Sequence, residues 1–416
     1  MLTIRNVSLL NGDDFQFISN GFIEIEDGTI RALGQGEPTT SDRHSDIILD
    51  GSGLLAMPGL VDAHVHMGDS VAKDIGNGSN LNELVHPIYG LKTKLLAEVH
   101  EDEICSAMAT TSHDMIASGI TTYADFREGG TAGVKLELKA LKETKQRAII
   151  LGRPNYHFKP NEVRTDLPLN ADTVSELYET IGLCAGVGLS GPNEYTNAAM
   201  NQISNLTKSK AKLLAIHAAE SAEGMKFSLE HFSMTEAMRA LRYLKPDFVV
   251  HFTNSTPEDL RYLSEANVPV VCCPRANSVL GLGFPPIHDL IQAKVTVALG
   301  TDNVMLNAPD MFREMDYTSK MLRAMQRDPA AVSSKQVLEM ATLNGARALG
   351  LDSQIGSLKE GKRADIAFLN LNSPNLRFSK DLIASIVHRA SSQDVECVMV
   401  DGEIVHGSIP SIANPQ

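Results

Sequence analysis

The stretch GLVDAHVH, residues 59–66, decides how this chain is read. An apolar run ends in His64 and His66, and residues i and i+2 of a strand share a face. Both imidazoles therefore point one way, with Ala63 and Val65 pointing the other. Three further apolar runs end in the same kind of residue: LLAIH at His217, DFVVH at His251 and VTVALGTD at Asp302. Three histidines and a carboxylate suffice to ligate one divalent metal. Taken singly, each has a plainer explanation. HxH can be a packed or surface pair, His217 a satisfied core histidine, His251 a capping or buried one, and Asp302 an Asx-turn residue after Gly300. Their shared placement after apolar runs argues for one site.

Working outward, GLVDAHVH is the first of eight strand candidates in the middle of the chain. The others are ITTYADF, RAIILGRP, GLSGPNEY, KLLAIH, DFVVH, VPVVCCP and VTVALG, with helical stretches between them. Strands alternating with helices imply a parallel sheet, and eight of them a closed (β/α)8 barrel. A barrel unit runs roughly 30 residues. His217 to His251 is 34 residues, His251 to Asp302 is 51 and His66 to His217 is 151. These distances place the candidates at strands 1, 5, 6 and 8, each at the C-terminal end, where barrel chemistry is done.

Both chain ends read differently. GFIEIEDGTIRALG alternates apolar and polar residues around Asp27-Gly28, and VECVMVDGEIVHG turns at Asp401-Gly402. Asp-Gly supplies the positive φ angles of a type I′ hairpin turn. ADIAFLNL, 364–371, is another strand. The expected fold is α/β, a distorted (β/α)8 barrel over 55–352, with a small β-sandwich built from 1–54 and 353–416. A length of 416 residues suits a barrel plus a smaller module. Ser333 to Gln336 offers a capping box, from which one helix is expected to run to Gly350.

The chain carries 37 Lys and Arg against 51 Asp and Glu, a net charge of −14. Such a surface repels phosphate backbones and anionic lipid, which argues against nucleic acid or membrane partners. The five cysteines are scattered, mostly in apolar runs, as suits a reducing compartment. No run of about 18 apolar residues is present, and the N-terminus lacks the pattern of a signal peptide. A cytoplasmic protein is expected, with a homo-oligomer left open.

Glu220 follows His217 by three residues. It is either a solvated acid in a first helical turn or a general acid/base facing the cavity. His251 near a metal-bound water would hold and polarise it, and Asp302 would bind the metal and accept the water's proton. Nitrogen and oxygen donors suit Zn²⁺, with Fe²⁺ an alternative, and zinc brings water's pKa to about 7. Substrate groups are sought in the βα loops. Glu83 and His86 follow strand 1, Arg127 strand 2, Arg153 strand 3, and Arg275 and Asn277 strand 7. Either Arg127 or Arg153 can bind a carboxylate or phosphate bidentately, and arginines at a barrel rim also bridge loops. Gly186 to Gly191 satisfies GxGxxG, but it leads into Pro192 instead of opening a helix, and it is read as a turn.

Seven segments together resemble the amidohydrolase superfamily, in its mononuclear branch of cytosine, guanine and adenosine-type deaminases and triazine hydrolases. They are MPGLVDAHVHMG (57–68), HAAE (217–220), VVH (249–251), CPRANSVLG (273–281), LGTDN (299–303), TLNGARALGL (342–351) and IGSLKEGKRADI (355–366). The resemblance implies that His64, His66, His217 and Asp302 hold one metal, that Glu220 shuttles protons and that His251 positions the nucleophile. It implies an aminohydrolase, in which metal-bound hydroxide releases ammonia from an amino-substituted N-heterocycle such as a nucleobase or nucleoside derivative. Hydrolysis of a cyclic amide, an amidine or a C–Cl bond is the alternative on the same scaffold, and a non-catalytic binding relative is a third. Dinuclear relatives place a carboxylated lysine or a bridging glutamate after strand 4. The run SGPNEY has no lysine, and Glu194 stands in a run that does not match, so a single metal is expected.

Overall fold

A computed structural model describes residues 1–38, 47–142 and 144–412. The eight expected strands all form: β1 Leu60–His66, β2 Ile120–Arg127, β3 Arg147–Gly152, β4 Gly186–Leu189, β5 Leu213–Ala218, β6 Phe248–His251, β7 Val270–Cys272 and β8 Val297–Leu299. They pair in parallel, each with the next in sequence. Closure of the barrel needs an interruption. After β8 the strand is interrupted at Gly300 and Thr301, and a two-residue continuation, Asp302–Asn303, pairs with β1 at Val65 and His66. Gly300 passes so near β1 that a Cβ there would lie 2.8 Å from the backbone oxygen of His64. Asp62, fully buried, accepts the Thr301 N–H at 2.9 Å and the Thr301 hydroxyl, fastening the gap to β1.

The chain ends build a second sheet. Strands at Leu2–Asn11, Gln16–Glu26, Thr29–Gln35, Ile47–Asp50 and Leu54–Pro58 join Ile366–Asn370, Val395–Val400 and Glu403–Gly407 in eight strands. Both Asp-Gly hairpins form with positive φ at each turn residue, 50° and 75° at Asp27 and Gly28, 49° and 77° at Asp401 and Gly402. The two turns lie against each other, since a Cβ on Gly28 would come within 2.5 Å of the Asp401 carbonyl. Ile4, Leu9, Ile23 and Ile25 from one end share a buried core with Ile366, Phe368 and Met399 from the other.

Three expectations are corrected. Leu54–Pro58 pairs with Leu2–Asn11 and with Ile366–Asn370, so this strand belongs to the terminal sheet and the changeover falls at Gly59. The helix expected to run unbroken to Gly350 keeps its capping box but divides into Ser334–Met340 and Leu343–Ala348. The cause is β1: Val61 N–H bonds to the Ala341 carbonyl at 2.8 Å, drawing that carbonyl out of the helical ladder, and Gly345 packs on the Val61 side chain. The GxGxxG stretch is not simply a turn, because its first four residues are β4. All five cysteines are free and buried. Among the described residues no helix is long and apolar enough to cross a membrane.

Candidate active site

His64, His66, His217, His251 and Asp302 converge at the C-terminal mouth of the barrel. Asp62, His64 and His66 alternate onto the inward face of β1, while Val61 packs outward beneath Leu343–Ala348. Three backbone kinks aim the remaining groups: Ala219, His251 and Asp302 all have positive φ, at 52°, 74° and 64°. Left-handed non-glycine residues cost about 1–3 kcal/mol each and persist where the surroundings over-determine them. Here Phe252 N–H bonds to the Ala218 carbonyl and Asn254 N–H to the Ala219 carbonyl, clamping the ends of β5 and β6 together.

Two rings are oriented by the carbonyl at the end of the neighbouring strand. His66 Nδ1 donates to Phe126 O at 3.1 Å and His217 Nδ1 to Leu189 O at 2.8 Å. Each thereby presents an unprotonated Nε2 to the barrel axis, as metal-ligating histidines do. His64 Nε2 lies 3.2 Å from His217 Nε2 and 3.3 Å from Asp302 Oδ1, and His66 Nε2 lies 3.6 Å from the same oxygen. Donors ~2.0–2.1 Å from a tetrahedral zinc sit roughly 3.4 Å apart, so the set fits a small divalent cation. Burial pushes His64 down to about 3, His251 to about 4, and His217 well below the usual range. Burial opposes ionisation of Asp302, but the His64 hydrogen bond and the field of the other rings hold its carboxyl well below the carboxylate range. Four lone-pair donors with no protein cation among them are the chemistry of a metal site.

Glu220 stands beside this set. Its Oε1 is 3.5 Å from His251 Nε2, and burial followed by the charges of Asp302, Glu236 and Glu194 pushes its carboxyl well above the usual range. Glu236, raised to about 8, accepts the Ala219 N–H at 3.1 Å and so braces the residue before Glu220. Asn277 is fully buried, with its amide nitrogen 3.1 Å from His251 Nδ1. It supports the histidine from behind and, unlike the other loop candidates His86 and Arg153, is not among the residues that line the chamber beside the cluster.

A chamber of about 90 Å3 opens beside the cluster, lined by His66, His217, Glu220, His251 and Asp302, and by His86, Lys92, Glu128, Arg153 and Glu194. It meets an outer chamber of about 280 Å3 that shares His86, Glu194, His217 and Glu220. Of the loop candidates, His86 and Arg153 face this space. His86 stacks on Tyr89 at 3.6 Å between ring centroids. Arg153 is 9% exposed and, among the described residues, its guanidinium has no direct ion pair. The other three do not face it. Glu83 is an exposed capping-box residue with Asn80, Arg127 donates to the Gly133 carbonyl at 3.0 Å, and Arg275 bonds to the Ala308 carbonyl and pairs with buried Glu314. Glu83 and Arg127 are held within their own loops, and Arg275 bridges to the segment that follows β8. Sequence reasoning missed Lys92 and Glu128. Glu128 adjoins Arg127, and the end of β2 was signal enough to consider it. Lys92 lies in KTKLLAE, where nothing distinguishes it from a surface lysine.

Residues 55–405 match the amidohydrolase family, and the chain belongs to it. An uncharacterized protein of Methanocaldococcus jannaschii is 36% identical over 93% of this chain and 94% of its own. A 5-methylthioadenosine/S-adenosylhomocysteine deaminase of Caldanaerobacter subterraneus is 29% identical over 97% and 92%. The fold is shared with an adenosine deaminase of Xanthomonas campestris solved with bound zinc, at a TM-score of 0.84, 21% identity, and coverage of 97% and 92%.

Proposed function

We propose that the protein is a metal-dependent aminohydrolase that releases ammonia from an amino-substituted N-heterocycle, with a nucleobase or nucleoside derivative as the substrate class. One observation carries the reading: Glu220, 3.5 Å from His251, lines the same small chamber as His66, His217 and Asp302, three of the four converging donors. Zinc is the metal proposed for His64, His66, His217 and Asp302, with ferrous iron matching the same donors. Bound there, it would supply a water acidic enough to act as nucleophile at neutral pH.

The protein's own groups handle the protons. Glu220, protonated, donates to the ring nitrogen next to the amino-bearing carbon, which relieves the negative charge that attack would build there. His251 Nε2, held through Asn277, orients the attacking water. Asp302 Oδ2, buried and without a hydrogen-bond partner in the described residues, accepts the water's first proton and returns it to the departing amine, while Glu220 regains its proton from the hydroxyl that becomes the carbonyl. Arg153 is free to receive a carboxylate or phosphate on the substrate. The family membership and the deaminase among the relatives support this reading. The test is a screen of zinc-loaded protein for ammonia release across nucleobases, nucleosides and deoxyadenosyl compounds. Release from at least one, lost on chelation, is expected; a fully metal-loaded protein that releases none from any of them contradicts the proposal.

A further inference from the structure

Lys92 is 4% exposed, on a helix of the loop that follows β1, Leu91–Glu98. Its ammonium is paired on two sides. On one, it forms an ion pair with Glu128, whose Oε1 lies 3.2 Å from His66 Nδ1. On the other, it is 3.1 Å from Asp69 Oδ2. Asp69, fully buried, accepts the Asn303 amide at 2.6 Å on that same oxygen and the Met305 N–H at 3.1 Å on the other. Asn303 is the residue after Asp302. One buried cation therefore stands between the two strand ends that carry His66 and Asp302.

We infer that Asp69, Lys92 and Glu128 form a buried ion triad that positions the metal ligands His66 and Asp302 and ties retention of the metal to the seating of the β1 loop. The inference rests on the metal site proposed above. All three are positioning residues: the Glu128 carboxylate, 3.2 Å from His66 Nδ1, favours the proton that Nδ1 donates to Phe126 O and so the ring orientation with Nε2 inward, and Asp69 steadies the two-residue strand that bears Asp302. A side chain that orients a ligand in this way typically controls metal affinity by 10–100-fold. Lys92 does so at one remove: without it buried Asp69 loses its cation and Glu128 keeps only Arg127, 3.5 Å from its other oxygen, so the link between the two carboxylates is lost.

The experiment measures zinc affinity by chelator competition, with no substrate present, for the intact protein and for Glu128→Gln, Lys92→Met and the double variant. Glu128→Gln keeps the shape of the side chain and an oxygen for His66, so it tests the charge with little risk to folding. Thermal unfolding of the metal-free forms is followed alongside. Zinc binding weakened about 10–100-fold in each single variant, and by less than the product of the two in the double variant, is the result expected of residues acting through one chain. Affinity unchanged in both singles overturns the inference, as does a loss of thermal stability with zinc affinity intact, which marks the triad as structural only. A wild-type chain that binds no zinc overturns the metal reading itself, and this inference with it; tight wild-type binding with unaffected variants overturns this inference alone.

Discussion

Glu236 and Glu220 show how far burial sets the chemistry of single residues. Glu236 is held at about 8 by burial and by Glu194, against ~4.3 for an unfolded glutamate. The folded chain therefore binds the extra proton. This contribution to stability is full below pH ~4.3 and lost as pH rises through about 8. His64 and His251, lowered to about 3 and 4, act in the opposite sense, but only up to about pH 6.5. Glu314, also held at about 8 by burial, acts in the same sense as Glu236, so the Tm of the metal-free protein is expected to fall between pH 6.5 and 9, and Glu236→Gln to lessen that fall. Removing a ligand has a different signature: His217→Ala should purify without metal, and unchanged content on elemental analysis would refute its ligation. Arg153→Met should raise KM for an anionic substrate about 10- to 100-fold, read in steady-state kinetics, with a smaller change for a neutral analogue. The proposed ligands were legible in the sequence because each follows an apolar run. The loop residues were not, since a capping glutamate, a carbonyl-bound arginine and a cavity-facing arginine look alike until the backbone around them is placed.

Elements carry the next level of constraint, and β8 carries the most. Its two halves pair with different neighbours, and Gly300 between them passes His64 with no room for a side chain. Gly300→Ala is expected to destabilise the protein by about 1–3 kcal/mol in denaturant titration and to weaken metal binding, because His64 and Asp302 both move with the gap. Alternation and Asp-Gly turns made all eight barrel strands and both hairpins readable, as these signals are local. The split of the helix before Gly350 was hidden for the opposite reason: a carbonyl captured by a strand 280 residues earlier leaves no mark in the helix's own sequence. The placement of Leu54–Pro58 was hidden similarly, since an apolar strand fits either sheet until its partners are known.

At the scale of the whole molecule, the barrel and the terminal sheet meet at a charged joint. Arg147 at the start of β3 reaches buried Asp365 at 3.2 Å and Asp401 at 2.7 Å, and Arg363 pairs with Asp401 from the other side. Arg147→Met leaves Asp365 buried without its cation, for an expected loss of about 3–5 kcal/mol in unfolding. The joint lies at the opposite end of the barrel from the active site, so kcat measured well below the melting range should be unchanged; a fall in kcat there would show the two ends to be coupled. At that far end, a single metal and the Glu220 carboxyl are proposed to divide the work of releasing ammonia. This division is tested most directly by ammonia release from Glu220→Gln at metal occupancy measured on the same sample. The predicted result is one metal per chain with turnover lowered about 10²- to 10⁴-fold; wild-type turnover at full occupancy would contradict it.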